Sequence, residues 1–404
     1  MLYSMHELSQ WMVSPLSAAA GVNRSLFSNP LSPFSYAPGA RELAASAELF
    51  LRFTRDYLKP AFGLPTTTID GREVLVTEEI VLERPFCQLR HFRREGAGND
   101  PVVLLVAPLS GHFATLLRDT VRALLPEHDV YVTDWVDAKT VPLSAGDFHL
   151  DDYVDYVRDF IRFLGPDVHV ISVCQPTVPV LMAVSLLAAD GEAIQPRTMT
   201  MMGGPIDTRR SPTSVNNLAT RKPLEWFENT VIHRVPARYP GCMRRVYPGF
   251  LQHMGFVAMN PDRHASAHWQ YYNHLVRGDG DSASAHRRFY DEYNAVLDMP
   301  AEYYLETIRM VFQEHRLPAG TMRVHGQPVE PAAIRRTALF TIEGELDDIS
   351  GNGQTEAAHT LCSSLAATQR EHFMVPQVGH YGIFSGRRWR EGICPRIAEF
   401  IRAH

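Results

Sequence analysis

The sequence predicts an α/β fold in which a mostly parallel central sheet carries helices on both faces and is interrupted once by a helical insertion. Three observations predict it. Short runs apolar on both faces (Val102 to Ala107, Asp129 to Thr133, Val168 to Val173, Thr198 to Met202) alternate with helical stretches, the pattern of parallel strands covered on both sides. The rhythm stops between about residues 206 and 336, where Arg, His, Tyr, Trp and Pro accumulate. It resumes with Thr337 to Ile342 and Glu371 to Val375, so the core reads as one discontinuous domain and the intervening segment as a cap.

Residues 1–66 read as an N-terminal helical extension, with a Pro/Ser-rich break at Asn29 to Pro38 and an amphipathic run from Ala40 to Tyr57 that Lys59 and Pro60 close. From Glu73 to Arg94, two Val/Ile/Leu/Phe-rich segments alternate enough to form an antiparallel strand pair. Between the buried strands, helices are expected at Leu150 to Leu164 and Gln175 to Ala189. Within the cap, Leu224 to Val231, Ser284 to Val296 and Pro300 to His315 have helical character. After it come a helix from Thr355 to Leu365 and a closing helix from Arg387 to Arg402. The expected division is 67–205 with 337–404 for the core and 206–336 for the cap, or lid.

Composition narrows the function classes. With 45% hydrophobic and 21% charged residues and a formal net charge of -6 over 404 residues, no long-range basic field invites nucleic acid. Five scattered cysteines (Cys87, Cys174, Cys242, Cys362, Cys394) contain no CxxC pair, which argues against a disulfide framework or a zinc site. No cofactor or metal is expected. The opening segment lacks the cationic start of a signal peptide, and no run is apolar for long enough to span a bilayer. The default expectation is a cytoplasmic protein.

Chemistry concentrates in VHVISVCQPTVPVL, where a buried strand ending at Val173 meets Cys174 and then a helical stretch. Strand, nucleophile and helix in that order form a nucleophile elbow, whose sharp turn lifts a reactive side chain above the sheet at a helix N-terminus. The usual elbow has Gly two residues to either side; here Ser172 and Pro176 stand there. Alone, Cys174 would read as a buried apolar thiol. Two later motifs change the weighing. GELDDIS places Asp347 just beyond one core strand, and PQVGHYGIF places His380 just beyond another. The order Cys174, Asp347, His380 is the nucleophile, acid, histidine order of α/β-hydrolases. Read separately, Asp347 and Asp348 fit a helix N-cap and His380 an ordinary loop histidine. The APLSGHFATLL segment after Leu104 to Val106 offers a backbone N–H to an oxyanion. Pro108 has none to give, so Leu109 or Ser110 is expected to pair with Gln175. In the cap, Trp226, Phe227, Trp269, Tyr271 and Tyr272 are candidate substrate-gripping aromatics, each equally readable as packing.

The chain resembles the intracellular polyhydroxyalkanoate (polyhydroxybutyrate) depolymerases. MLYSMHEL at the N-terminus, YVTDW at Tyr131 to Trp135, SVCQPTVPV at the elbow, GELDDIS and QVGHYG carry the resemblance, which runs essentially from end to end. It implies an α/β-hydrolase with Cys174 as nucleophile, Asp347 as acid and His380 as base. It also implies partners, namely the surface of intracellular polyester granules and 3-hydroxyacyl oligomers, and leaves a homo-oligomer open. Two rivals remain. A polyhydroxyalkanoate synthase uses the same residue types on this fold, although its elbow carries Gly on both sides of the cysteine. A non-catalytic granule-coating protein would keep the fold without the chemistry.

Overall fold

The structure is a computed structural model that describes residues 2–96 and 98–404; Met1 of the quoted N-terminal segment lies outside them. Its frame is a nine-stranded sheet. In chain order the strands are β1 (Thr66–Ile69), β2 (Arg72–Arg84), β3 (Cys87–Arg94), β4 (Val102–Val106), β5 (Asp129–Trp135), β6 (His169–Val173), β7 (Thr198–Met202), β8 (Ala338–Gly344) and β9 (Arg370–Val375). They lie side by side as β1-β2-β3-β5-β4-β6-β7-β8-β9. The first three pair antiparallel, as does β3 with β5; every pair from β5 through β4 to β9 is parallel. The exchanged order of β4 and β5 and the parallel run that follows make this an α/β-hydrolase sheet. β6 and β7 are buried at every residue, which is why their sequences are apolar on both faces and not alternating.

Helices that position the rest include α1 (Leu2–Ser28), α2 (Ala40–Thr54), α3 (Arg118–Leu124), α4 (Leu150–Leu164), α5 (Thr177–Ala189), α6 (Ser214–Arg221), α7 (Leu224–Val231), α8 (Gly249–Met259), α9 (Pro261–Arg277), α10 (Gly280–Tyr293) and α11 (Ala301–Glu306). α4 is amphipathic, with Tyr153, Val154, Val157, Phe160 and Ile161 turned inward. α5 has no charged residue and is buried along nearly its whole length, as a helix must be when it is apolar all round. The segment from α6 to α11 covers the carboxyl ends of the parallel strands.

Three elements differ from expectation. The helix expected over Thr355 to Leu365 is a single turn, Ala358–Leu361. The buried Glu343 carboxylate captures the N–H groups of Gly353 (2.7 Å), Thr355 (2.7 Å) and Glu356 (3.0 Å), and the preceding residues wrap around it in turns. Pro300 to His315 begins as α11 and continues as a π-helical stretch, Thr307–Gln313. The closing helix is likewise interrupted by a π-helical turn, Trp389–Ile393, before Cys394–Ala403.

The N-terminal extension is fastened at several points. Ser17 donates to Thr54 (2.7 Å) and Arg24 pairs with Glu48 (2.7 Å), tying α1 to α2. Tyr271 of α9 donates to Glu48 (3.1 Å), and Arg52 reaches Asp291 of α10 (2.7 Å). At the other end of α1, Tyr3 donates to the buried Asp298 (2.8 Å).

Candidate active site

Cys174 sits between β6 and α5 with φ +67°, a left-handed conformation that a non-glycine residue adopts only when its surroundings hold it there. The turn is held on both sides: the Cys174 N–H donates to Met202 O (2.7 Å), and its carbonyl accepts from the Thr177 N–H (3.2 Å). An elbow needs room for close backbone approach, usually given by its own flanking glycines. Here Ser172 is buried and donates to Thr200 O (3.2 Å), and the room comes from the neighbouring strand. A Cβ on Gly204 would run into the Thr177 side chain at the start of α5, and one on Gly203, at φ +58°, would lie 2.6 Å from Ile383.

Asp347 follows β8. Its Oδ1 accepts from the N–H groups of Ile349 (2.9 Å) and Ser350 (2.8 Å), while Oδ2 lies 2.7 Å from His380 Nδ1. Asp348 turns away and accepts from Asn260 (3.2 Å). His380 is buried and also interacts with Cys174. Burial works against its charged form, but the Asp347 carboxylate and the Cys174 sulfur outweigh it and hold the imidazole well above its ordinary pKa. A second buried histidine nearby behaves oppositely. His112, bonded only to the Tyr293 carbonyl (3.1 Å), is pushed down to about 4 by burial. The site therefore contains one imidazole set up to carry a proton between a carboxylate and a thiol.

The loop after β4 faces this pair. It is pinned at Ala107, whose N–H donates to Thr133 (2.9 Å) and whose carbonyl accepts from Trp135 Nε1 (2.8 Å) and Tyr153 (3.2 Å); two of these anchors belong to the YVTDW segment. Among the described residues, the backbone N–H groups of Leu109, Ser110 and Gln175 have no hydrogen-bond partner, and all three residues line the same cavity as Cys174 and His380. An acyl oxygen placed there meets free donors.

That cavity, of about 640 Å³, is walled mainly by apolar side chains from α6, α7, α8, α11 and the π-helical stretch. Of the five cap aromatics expected to grip substrate, Phe227 alone lines it. Trp226 lies behind Phe227 in an edge contact and carries Lys222 over its ring. The other three are corrected by their position on α9. Tyr271 is fully buried and fastens α2, and the exposed Trp269 stacks on Tyr272. The aromatics that do line the cavity include Tyr247, Phe256, Tyr303, Tyr304, Phe312 and Tyr381. Sequence gave one signal for some of them, a helical run after Pro300; nothing in it said which face turns inward.

A family model described as "PHB de-polymerase C-terminus" matches residues 203–404, half of the chain. The chain belongs to that family. As a PHB depolymerase family member it is an ester hydrolase, and the matched half contains both Asp347 and His380. Solved structures with a similar outline include a putative lipase from Acinetobacter baumannii AYE (12% identity, covering 81% of this chain and 93% of that one, TM-score 0.43). Another is the 2-hydroxy-6-oxo-6-phenylhexa-2,4-dienoate hydrolase of Rhodococcus sp. strain RHA1 (12% identity, 81% and 99%, TM-score 0.43). No curated protein matches the sequence significantly. Among the described residues of this family member, no helix is long and apolar enough to cross a membrane, and no cluster of His, Cys, Asp and Glu is arranged to hold a metal ion.

Proposed function

We propose that this PHB depolymerase family member hydrolyses the ester bonds of amorphous poly(3-hydroxyalkanoate) at the surface of intracellular granules, with Cys174 as nucleophile. The observation that carries the proposal is the meeting of Cys174 with a carboxylate-paired His380 at the floor of a large apolar cavity, in a chain of this family.

His380 takes the Cys174 thiol proton as the sulfur attacks the ester carbonyl carbon, and the oxygen that gains the electron pair lies against the N–H groups of Gln175 and Leu109 or Ser110. Collapse of this intermediate breaks the C–O bond, and His380 gives the leaving alkoxide its proton. The acyl group is then held as a thioester. His380 next takes a proton from water, hydroxide adds to the thioester carbonyl, and the carbon–sulfur bond breaks to release a 3-hydroxy acid and restore Cys174. Asp347 holds the imidazole in the tautomer that faces sulfur. The apolar wall suits a polymer with no charge, and no cofactor enters any step.

The test is incubation of the purified protein with native amorphous granules and identification of the products. Release of 3-hydroxy acids or their short oligomers, abolished by Cys174→Ala, is expected. Release of no acid, or chain growth from a hydroxyacyl thioester, would overturn the proposal in favour of a scaffold or a synthase.

A further inference from the structure

The 27 residues of α1 contain two charged side chains, and both are paired with residues of other elements. Glu7 pairs with Arg238 (2.8 Å), and Arg24 pairs with Glu48 (2.7 Å). His6 is stacked on Phe250 at 4.0 Å. The outward side is different: Met5, Leu8, Trp11, Met12, Leu16 and Val22 are each more than half exposed. At 3.6 residues per turn these six fall in a sector of roughly 140°, on a helix about 40 Å long. Pro15 and Ala19 lie in the same sector, as do the uncharged Ser4 and Asn23, and no charge interrupts it. A face of this size is far more apolar than an ordinary protein surface.

The opposite, inner side of α1 packs on a helix that lines the catalytic cavity. Tyr3 and His6, near the start of α1, pack on Phe250 of α8. Phe250, Met254 and Ala258 follow at i, i+4, i+8 along α8, so they share a side of it. Met254 is exposed, and Ala258 belongs to the cavity wall together with Gly255 and Met259. α8 itself has no Asp, Glu, Lys or Arg. α1 is thereby anchored, through its inner side, to a wall of the cavity.

We infer that the outer face of α1 is the surface by which the protein docks on a solid, uncharged polyester. The inference rests on the substrate class proposed above. Charge selects this occupant: helices that lie on anionic phospholipid carry Lys and Arg on or beside the inserted face, whereas this face has none and the chain as a whole bears -6. The anchoring of its inner side on α8 leaves the outer face free beside a helix that lines the cavity.

The test uses the full chain and a triple variant, Trp11→Gln, Met12→Gln, Leu16→Gln, with three probes: amorphous poly(3-hydroxybutyrate) particles, phosphatidylcholine vesicles and phosphatidylglycerol vesicles. The parent should co-sediment with the particles and not with phosphatidylglycerol. The variant should bind particles at least about tenfold more weakly, as expected for removing three exposed apolar contacts, and hydrolyse them more slowly, while its kcat/KM on a soluble 3-hydroxybutyrate trimer stays unchanged. Equal particle binding by parent and variant would overturn the docking surface alone. Preference of the parent for vesicles, or a parent dimer that the variant dissociates in light scattering, would overturn it in favour of a membrane or a second copy. A parent that cleaves neither trimer nor particles would instead overturn the proposed function.

Discussion

At the scale of residues, the site depends on side chains whose surroundings leave them little choice. Cys174→Ala, His380→Ala and Asp347→Ala are each expected to lower trimer hydrolysis by roughly three to four orders of magnitude while leaving the melting temperature within a few degrees, because triad members act as a unit. Asp348→Ala should be mild, since Asp348 only accepts from Asn260. An inactive Asp348 variant beside an active Asp347 variant would shift the acid by one position. Thiol chemistry gives a separate check. Burial raises Cys87 well above the ordinary thiol range and pushes Cys362 and Cys394 up to about 12, so all three are inert near neutral pH. Substoichiometric iodoacetamide should therefore label Cys174 ahead of every other cysteine, with activity lost in step, and peptide mapping reads the outcome. Preferential labelling of Cys242 with full activity would contradict the nucleophile assignment. Gly204→Ala should weaken the fold by about 1–3 kcal/mol or more, the range for overpacking, because the added carbon meets Thr177 directly below the elbow; thermal unfolding measures it.

The positions of Cys174, Asp347 and His380 could be read because each lies just past a strand whose sequence announces it. The aromatics that line the cavity could not. Trp269, Tyr271 and Tyr272 share a helix with His264, His268 and His274, and composition cannot say which side meets the cavity.

At the scale of elements, sequence and structure agree where the local pattern and the packing agree, as in Leu150–Leu164 and Thr198–Met202. They part where a long-range partner decides. Glu343 holds the chain in turns where local preference suggested a helix. α8 escaped notice because an apolar, uncharged run such as GFLQHMGFVAM has no polar face to set a period. The attachment of α1 was equally hidden, since Tyr3 and Asp298 are 295 residues apart.

That attachment has a pH dependence. Burial, with Asp137 nearby, pushes the Asp298 carboxyl up to about 7 despite Lys139, the Gly249 N–H and the Tyr3 hydroxyl. In the unfolded chain an aspartate titrates near 3.9. The folded protein thus binds the extra proton between these values, and its contribution to stability is complete below about 3.9 and lost as pH rises through about 7. Asp298→Asn mimics the protonated acid at every pH. The variant should melt above the parent by a margin that widens from pH 5 to pH 8; a constant difference across that range would contradict the titration.

At the scale of the whole molecule, the α/β-hydrolase sheet brings together three residues from positions 174, 347 and 380. It places them under a cavity roofed by the segment between β7 and β8. The exchanged order of β4 and β5 was not readable from the sequence, whose runs show that strands are buried but not which are neighbours. No residue of α1 lines the cavity, so docking and chemistry are expected to separate by mutation: α1 variants should lose particles and keep trimer, and triad variants should keep particles and lose both reactions. Co-sedimentation and trimer assays on the two sets of variants read this directly. The measurement that bears most directly on the central claim is acid-quench mass mapping of the protein during turnover of a 3-hydroxybutyrate trimer. A 3-hydroxyacyl adduct on the peptide containing Cys174, absent from Cys174→Ala, is the expected result; an adduct on another residue such as Ser110, or undiminished turnover by Cys174→Ala, would contradict it.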